Sequence, residues 1–408
     1  MTTTPDSWVN AAEAARLLRI SRPTLYAYVS RGFVRSEPSA GTSRARRYAR
    51  DDIERLRRRA EERRDPNKVA EHAMQWGLPV LESSITLVDR GRLYYRGHDA
   101  VDLSRSRSVR DVASLIWTGH FDTNLDATST SNAAARVNRA RRLTPLEFVA
   151  RAQAMLAAQS LDDAAAYDLR PERVPATGWR ILRGLVRLAA HRALASSLAA
   201  TTDEQLARAW RVKARGVDIV RAALILCADH ELNVSAFTAR CIASSAANPY
   251  AVVIGGLSAL AGARHGGMTI RVEAMLASLH RERRPRPALV ERVRRGERID
   301  GFGHPLYPDG DPRATALLAM LRSYEAKLPE RAFVERMAGL GTDLTGEHPN
   351  LDFALGAVSR ILGLPRGSGL TLFAIGRTIG WIGQAIEQYA TGQIIRPRAK
   401  YVGVTPAE

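Results

Sequence analysis

Apolar stretches with helical spacing restrict the fold of this chain more than any other feature. They occupy residues 215–230, 248–262 and 371–390, and each is apolar on nearly every side of the helix that it would form. Such a helix must be covered on more than one side, so it belongs inside a large helical body. No run of about 18 apolar residues lacks a charge, so no membrane span is predicted.

Length and composition fit a helical enzyme built from more than one domain. A chain of 408 residues has room for two or three folded units. Ala, Leu and Arg dominate, which favours helices. The only clear strand candidates lie at 87–97 (LVDRGRLYYRG), with Gly91 at a turn. The N-terminus lacks the features of a secretion signal, and Cys227 and Cys241 are expected to be reduced core residues, so a cytoplasmic location is predicted.

The formal net charge of +18 at pH 7 predicts partners that carry phosphates or carboxylates. The alternative is that arginine simply replaces lysine on a solvated surface. Both interpretations stay open for the body of the chain, and the first is favoured for residues 1–65.

Residues 1–65 form a segment of their own. Two short amphipathic helices are predicted between residues 8 and 34, a pattern typical of a helix-turn-helix. Ser21 is placed to cap the second helix. The buried faces consist of Ala11, Ala14, Ala15, Leu18, Leu25, Tyr28 and Val29. A turn-rich wing then ends at Tyr48, and a further helix starts near Asp51.

This arrangement resembles the winged helix-turn-helix modules of the MerR and excisionase type. The resemblance implies that the second helix enters the major groove of DNA and that the wing touches phosphates. The implied DNA contacts are Arg22, Thr24, Tyr26, Arg44, Arg46 and Arg47. A module kept only for protein or intramolecular contacts is the alternative. Residues 66–75 are the expected linker to the body, residues 76–408.

Four short motifs in the second half of the chain carry chemically useful side chains. They are CADHELN at 227–233, ARHGG at 263–267, GFGHPLYPDGDPRA at 301–314 and HPNLDF at 348–353. Together they supply separated histidines, a carboxylate and an arginine. Carbon–carbon bond formation on an acidic substrate needs these groups as base, as donors to carbonyl oxygens and as cations for carboxylates.

The motifs, in this order, resemble those of the citrate synthase family. The match extends to residues 82–100, 115–120 and 394–403 but is weak across 121–215. The resemblance implies a mainly α fold with a large and a small helical domain, assembled as a homodimer. It also implies the tricarboxylic acid cycle reaction, in which acetyl-CoA, oxaloacetate and water give citrate and CoA. Acetyl-CoA is then a co-substrate, and neither a cofactor nor a metal is expected.

The resemblance assigns roles to individual catalytic residues. Asp352 is the implied base, His265 stabilises the enol formed from the thioester, and His304 polarises the ketone. Gly266 and Gly267 would let the backbone approach closely. Taken alone, an Asp after an Asn is more often part of a helix cap, and each histidine is more often structural. The order of the motifs makes the set specific.

The resemblance also implies a set of ketoacid ligands. They are His230, with Asn233 close by, Arg313, Arg377 and Arg396, and Phe373 lines the pocket. Guanidinium forks suit bidentate carboxylate contacts. Arg396 is expected to reach into the site of a partner subunit, and Phe373 to share a helix face with Arg377. Surface charge is the alternative interpretation of the arginines in so arginine-rich a chain.

Three departures from the family pattern concern the acyl-CoA side. Met268 and Thr269 follow HGG where Ala-Asn is usual, Pro305 replaces an Arg, and Glu347 and His348 stand where a basic residue is common. The last two departures remove positive charge and leave the acyl group open. Propionyl-CoA, which would give 2-methylcitrate, is therefore an alternative donor.

Two other functions stay open at the level of the whole chain. A DNA-binding sensor of a ketoacid or acyl-CoA, with little or no catalysis, is the alternative from another class. An active enzyme whose first module serves regulation or assembly is the third.

Overall fold

The structure is a computed structural model that divides into two compact units, Met1–Glu82 and Ser83–Glu408. It describes residues 8–18, 20–30, 33–38, 46–54, 56, 81–121, 123–125, 147–190, 201–325, 328–399 and 401–404. The expected linker, residues 66–75, and the DNA-contact candidate Arg44 lie outside the described residues. Within the described ranges, no helix combines the length and apolar character needed to cross a membrane.

The first unit is a small helix-turn-helix with a three-stranded sheet. Its elements are β1 (Trp8–Asn10), α1 (Ala11–Leu18), α2 (Arg22–Ser30), β2 (Ser36–Pro38) and β3 (Arg46–Ala49), and residues 50–54 are helical. The strands are antiparallel in the order β1-β3-β2. The backbone N–H of Thr24 donates to the Ser21 hydroxyl at 3.3 Å, which is the predicted cap.

A compact apolar core holds this unit together. It is formed by Val9, Ala14, Leu18, Leu25, Val34, Tyr48 and Ile53. The buried carboxylate of Asp52 accepts from both the backbone N–H and the Nε of Arg35, each at 2.9 Å. This pair fastens the end of the helix-turn-helix to the helix that follows β3. The two predicted helices are confirmed, and Tyr48 lies in β3, at the end of the predicted wing; residues 39–45 of that wing lie outside the described residues.

The second unit is almost entirely helical. Its helices are α3 (Ala100–Ser106), α4 (Val109–Thr118), α5 (Phe148–Leu161), α6 (Val174–Ala190), α7 (Thr202–Ala209), α8 (Ala214–Leu226), α9 (Val234–Ser244), α10 (Pro249–Leu260), α11 (Gly267–Arg281), α12 (Pro285–Arg294), α13 (Pro312–Ser323), α14 (Pro329–Thr345), α15 (Leu351–Ile361) and α16 (Ser368–Thr391). The predicted mainly helical class is therefore confirmed. Cys227 and Cys241 are free thiols, as expected.

A small antiparallel sheet precedes these helices. It consists of β4 (Thr86–Asp89), β5 (Arg92–Tyr95) and β6 (His98–Asp99). Gly91 lies in the β4–β5 turn with a φ of 72°, a conformation that glycine adopts without strain. The strands and the turn predicted at 87–97 are confirmed.

The long helix α16 runs through the core of the second unit. From Ser368 to Ile386 every residue is buried, as its apolar character on all sides predicted. Two glycines let the end of α8 approach it closely. An added Cβ would lie 2.4 Å from the carbonyl oxygen of Leu224 at Gly376 and 2.3 Å from that of Ala228 at Gly380. The N–H of Gly380 also donates to Ala228 O at 2.9 Å, which fixes the chain beside His230.

We expect Gly380→Ala to lower the unfolding temperature. The new methyl group would overlap Ala228 O, and overpacking of this kind costs about 1–3 kcal/mol. Gly339→Ala is the matched control, because an added Cβ there would meet no described atom within 4 Å and alanine favours the interior of α14. Thermal unfolding followed by circular dichroism should show a lower midpoint for the first variant and an unchanged or higher one for the second. Equal midpoints would contradict the tight contact.

Candidate active site

His230 lies at the end of a turn that the core holds from two sides. The hydroxyl of buried Tyr95 is 3.1 Å from the carbonyl oxygen of Ile225 and 3.2 Å from that of Asp229. The Asp229 carboxylate accepts from the Thr86 hydroxyl at 2.6 Å. Glu231 then takes a left-handed backbone conformation with a φ of 51°. These contacts present the His230 ring toward the third motif.

Three aromatic side chains from two motifs form one cluster. His230 Nε2 and the Tyr307 hydroxyl share a hydrogen bond of 2.9 Å. The His304 ring stands edge-on to His230, with centroids 5.1 Å apart, and lies 5.0 Å from the Tyr307 ring. The N–H of Leu306 donates to Nδ1 of His304 at 3.2 Å. Because Nδ1 accepts, a neutral His304 carries its proton on Nε2.

His265 sits on the turn that leads into α11. Its Nε2 lies 2.8 Å from the Ser235 hydroxyl, and its ring meets the Phe373 ring edge-on at 5.7 Å. An added Cβ at Gly266 would lie 2.8 Å from Leu260 O. At Gly267 the same distance separates an added Cβ from Gly262 O. Both glycines therefore permit close backbone approach, as predicted.

Asp352 occupies the first turn of α15. Asn350 caps that helix by accepting from the N–H of Asp352 at 3.1 Å, and its amide donates to Gly303 O at 3.0 Å. The cap thus ties the base candidate to the loop that carries His304. The Asp352 carboxylate also accepts from the Thr269 hydroxyl at 2.5 Å.

Arg377 is almost fully buried, at 1% exposure. Its Nε donates to Cys227 O at 2.7 Å. Its Nη1 is buried with no hydrogen-bond partner among the described residues. The guanidinium lies 5.1 Å from the Phe373 ring centroid, so the predicted shared helix face is confirmed. A buried guanidinium with an unused donor is a strong site for a carboxylate ligand.

Arg313 is also buried, but its guanidinium is paired with a carboxylate of the same chain. Its Nε and Nη2 donate to the two oxygens of Asp311 at 2.9 and 2.8 Å. Asp311 also accepts from the N–H of Leu351 at 3.0 Å, which joins this pair to the helix of Asp352. Arg313 therefore offers a ligand only the part of its fork that Asp311 leaves unused.

Two of the predicted ligands have other surroundings. The Asn233 side chain caps α9 by accepting from the N–H groups of Ser235 and Ala236 at 3.2 and 3.1 Å, and its amide donates to His230 O at 3.3 Å. These contacts give Asn233 a positioning role beside His230, and its contact with a substrate stays a prediction. Arg396 is exposed in the segment after α16, which has no regular secondary structure, and it makes no ion pair with the described part of its own chain.

Burial sets the protonation states of the cluster. Burial, together with the charges of Arg313 and Arg377, lowers the pKa of His230 well below its usual value. Burial lowers the pKa of His265 and that of His304 to about 4. The three imidazoles are therefore neutral near pH 7, and each carries one N–H. Burial raises the pKa of Asp352 to about 6, a value suited to a general base.

A surface cavity of about 330 Å³ lies elsewhere, between α11, α14 and α15. It contains none of the predicted site residues, and Arg360 on its wall pairs with Glu330 at 2.7 Å. We place the active site at the histidine cluster, where the unpaired Nη1 of Arg377 and the shifted pKa values of the histidines and Asp352 coincide. Among the described residues, no group of histidine, cysteine or carboxylate side chains is arranged to hold a metal ion.

The DNA-contact candidates of the first unit differ in accessibility. Arg22 and Tyr26 are exposed one helical turn apart on α2, with Tyr26 at 52% exposure. The Thr24 hydroxyl shares a 2.8 Å hydrogen bond with that of Ser21. Arg46 is exposed, and its Nε donates to Ser36 at 3.0 Å, whereas Arg47 pairs with Glu37 at 3.3 Å.

Comparison with known proteins agrees with this geometry. The family model "Citrate synthase, C-terminal domain" matches residues 73–398. The chain belongs to the citrate synthase family. It is an acyltransferase of the citrate synthase type, and a helix-turn-helix domain model matches residues 8–61 of the same chain.

Relatives in the family are named for two different products, citrate and 2-methylcitrate. A citrate synthase from Haloferax volcanii is 31% identical over 370 residues, which cover 80% of this chain and 94% of the relative. A 2-methylcitrate synthase from Mycobacterium tuberculosis is 28% identical over 335 residues, which cover 76% and 84%.

A solved structure has the same fold. A citrate synthase from Thermoplasma acidophilum, in a ternary complex with carboxymethyl coenzyme A and oxaloacetate, matches with a TM-score of 0.68 at 23% identity. The match covers 81% of this chain and 96% of that chain.

The sequence motifs missed several residues that shape the site. Tyr307 and Asp311 lie inside the GFGHPLYPDGDPRA motif, so their proximity to His304 and Arg313 could have singled them out. Ser235 and Thr269 each lie just beyond a motif. Their partners are 30 and 83 residues away along the chain, and no local pattern predicts such contacts.

Proposed function

We propose that the second unit condenses acetyl-CoA with oxaloacetate and water to give citrate and CoA. The observation that carries the proposal is a buried guanidinium with an unused donor, Arg377, beside three neutral histidines and a carboxyl of raised pKa. Arg377 and the imidazoles recognise an anionic carbonyl compound, and Asp352 supplies a base that is ionised at neutral pH.

In the first step Asp352 removes a proton from the methyl group of the thioester. A neutral His265 donates an N–H to the thioester oxygen and stabilises the enol. The Ser235 hydroxyl lies 2.8 Å both from the Asn233 side-chain oxygen, to which it donates, and from Nε2 of His265. The tautomer that this step requires is reached when the hydroxyl rotates to donate to Nε2, which leaves the imidazole proton on Nδ1. Such preorganised donors act strongly where water is excluded.

In the second step the enol carbon attacks the ketone of oxaloacetate. His304 donates an Nε2–H hydrogen bond to the ketone oxygen and stabilises the negative charge that develops there. The alkoxide then takes up the proton that Asp352 removed from the methyl group, which leaves Asp352 ionised again. His230, held by Tyr307, contacts the ketoacid from the other side of the cluster. Hydrolysis of the resulting thioester releases CoA and supplies the free energy, so the proposal includes no cofactor and no metal.

The arginines bind the carboxylates of oxaloacetate. Arg377 and the unused part of the Arg313 fork bind them within one chain. We place Arg396 of a second copy at the same ligand, because in its own chain this side chain is exposed and makes no ion pair with the described residues. The proposed assembly is therefore a homodimer with shared sites.

The proposed acyl donor is tested by comparing acetyl-CoA and propionyl-CoA at saturating oxaloacetate. We expect kcat/KM to be higher for acetyl-CoA, by roughly 10–200-fold, since one methylene in a fitted pocket is worth about 1–3 kcal/mol. A ratio reversed in favour of propionyl-CoA would assign the chain to 2-methylcitrate synthesis instead.

DNA binding by the first unit is a second proposed function. It is favoured by the exposed pair Arg22 and Tyr26 on the helix that follows the turn, the position of a recognition helix. In the full-length protein, Arg22→Ala should weaken binding to random-sequence duplex DNA and lower the salt-dependence slope by about 1. Arg208→Ala, an exposed arginine of the second unit, is the control. Equal salt dependence in all three proteins would contradict a phosphate contact at Arg22.

A further inference from the structure

Thr269 is buried at 0% exposure and is hydrogen-bonded to the proposed base. Its hydroxyl lies 2.5 Å from Oδ1 of Asp352, across a gap between α11 and α15. A hydroxyl that donates to a carboxylate favours the ionised form and restricts the rotation of the carboxyl group.

The methyl group of Thr269 is fixed by a different helix. An added Cβ at Gly369, in the first turn of α16, would lie only 2.7 Å from Cγ2 of Thr269. The glycine therefore lets α16 pack directly against the methyl group. Because threonine is branched at Cβ and its χ1 is stiff, a fixed methyl group also fixes the direction of the hydroxyl.

Glu273, one turn further along α11, anchors that part of α16. Its buried carboxylate accepts from the N–H groups of Gly367 and Gly369 at 2.6 and 3.0 Å and from the Ser359 hydroxyl at 2.9 Å. These bonds hold α16 in place against Thr269. The same helix carries Phe373 and Arg377, four and eight residues beyond Gly369.

We infer that Thr269 is a positioning residue that orients the Asp352 carboxylate and keeps it ionised for proton abstraction. The inference deepens the proposed function and rests on Asp352 being the base. Threonine suits this place better than an amide or a serine, because its two branches have separate, fixed contacts: the methyl group on Gly369 and the hydroxyl on Asp352.

The groups around Asp352 have opposing effects on its pKa, and the Thr269 hydroxyl is one of those that lower it. Burial raises the pKa of Asp352, and the neighbouring carboxylates Asp300 and Asp311 raise it further, whereas Thr269 and Arg313 lower it. Glu273 faces α16 from the same helix as Thr269. Arg313 is already paired with Asp311, so Thr269 is the direct donor to the carboxylate.

The test is the pH dependence of kcat in three full-length proteins: wild type, Thr269→Val and Thr269→Ser. Valine keeps the shape and removes the donor, so the acid limb should move to higher pH by about one unit, with a smaller loss at high pH. Serine restores the donor, so its limb should return toward that of the wild type. Thr269→Cys, a weaker donor of similar size, should lie between them and provides a further variant if valine fails to fold.

Two results would overturn the inference. One is an acid limb at the same pH in the valine variant and the wild type. The other is a uniform loss of kcat at every pH, which a purely structural role would produce. Failure of the proposed function is seen separately, in Asp352→Asn: if that variant keeps the turnover of the wild type, Asp352 is not the base, and the role of Thr269 falls with it.

Discussion

Asp352→Asn is expected to lower kcat by about 10²–10⁴-fold, the usual contribution of a general base. Asparagine has nearly the same shape and can still accept a hydrogen bond from Thr269, but it cannot take a proton. The dissociation constant of oxaloacetate should change little, because the proposed ketoacid contacts come from Arg377, Arg313 and the histidines. Steady-state kinetics and calorimetric titration with oxaloacetate measure the two effects separately.

Asp343→Asn is the control for this variant. Asp343 is exposed on α14, so the same substitution there should leave kcat unchanged. In the wild type, kcat should fall as the pH drops through about 6, because the pKa of Asp352 is raised to about 6 and its protonated form cannot act as a base. Ordinary turnover by Asp352→Asn would rule out the proposed base.

Arg377→Lys is expected to weaken oxaloacetate binding on the order of 10²-fold, since losing one partner of a buried charged contact costs about 2–5 kcal/mol. Lysine keeps the positive charge, but it cannot donate to Cys227 O while presenting a fork to a carboxylate. The KM for oxaloacetate and its directly titrated dissociation constant should rise together.

The matched control is Arg366→Lys, at an exposed position outside the cluster. It should bind oxaloacetate as the wild type does. If Arg377→Lys also binds normally, the carboxylate lies elsewhere, and the orphaned Nη1 of Arg377 has another explanation.

Much of the fold could be predicted from local patterns. The apolar character of residues 371–390 on every side indicated a buried helix, and α16 is buried along most of its length. The LVDRGRLYYRG segment indicated two strands and a turn, because Gly91 separates β-favouring residues. What local patterns omit is the close contact at Gly376 and Gly380, since it depends on a carbonyl supplied by a different helix.

The sequence could predict which residues belong to the candidate site, but fewer of the hydrogen bonds between them. The motifs brought out His230, His265, His304 and Asp352 because each lies in a recognisable run. The capping role of Asn233 follows from a local rule, since asparagine commonly precedes the first turn of a helix. The pairing of Arg313 with Asp311 could also have been predicted, because the two residues lie two positions apart in one motif.

The contact between Thr269 and Asp352 could not be predicted from the sequence. It joins two helices that only the tertiary fold brings together. The protonation states of the histidines likewise depend on burial, which the tertiary fold determines.

The proposed condensation is tested most directly by measuring free CoA released by the full-length protein, with the organic product identified by mass spectrometry. We expect CoA release to require both oxaloacetate and acetyl-CoA, citrate to form in equal amount, and Asp352→Asn to lower the rate of both by about 10²–10⁴-fold. Saturable oxaloacetate binding without CoA release from acetyl-CoA or propionyl-CoA would contradict the proposed condensation and indicate a ligand-sensing body in a chain that also carries a helix-turn-helix.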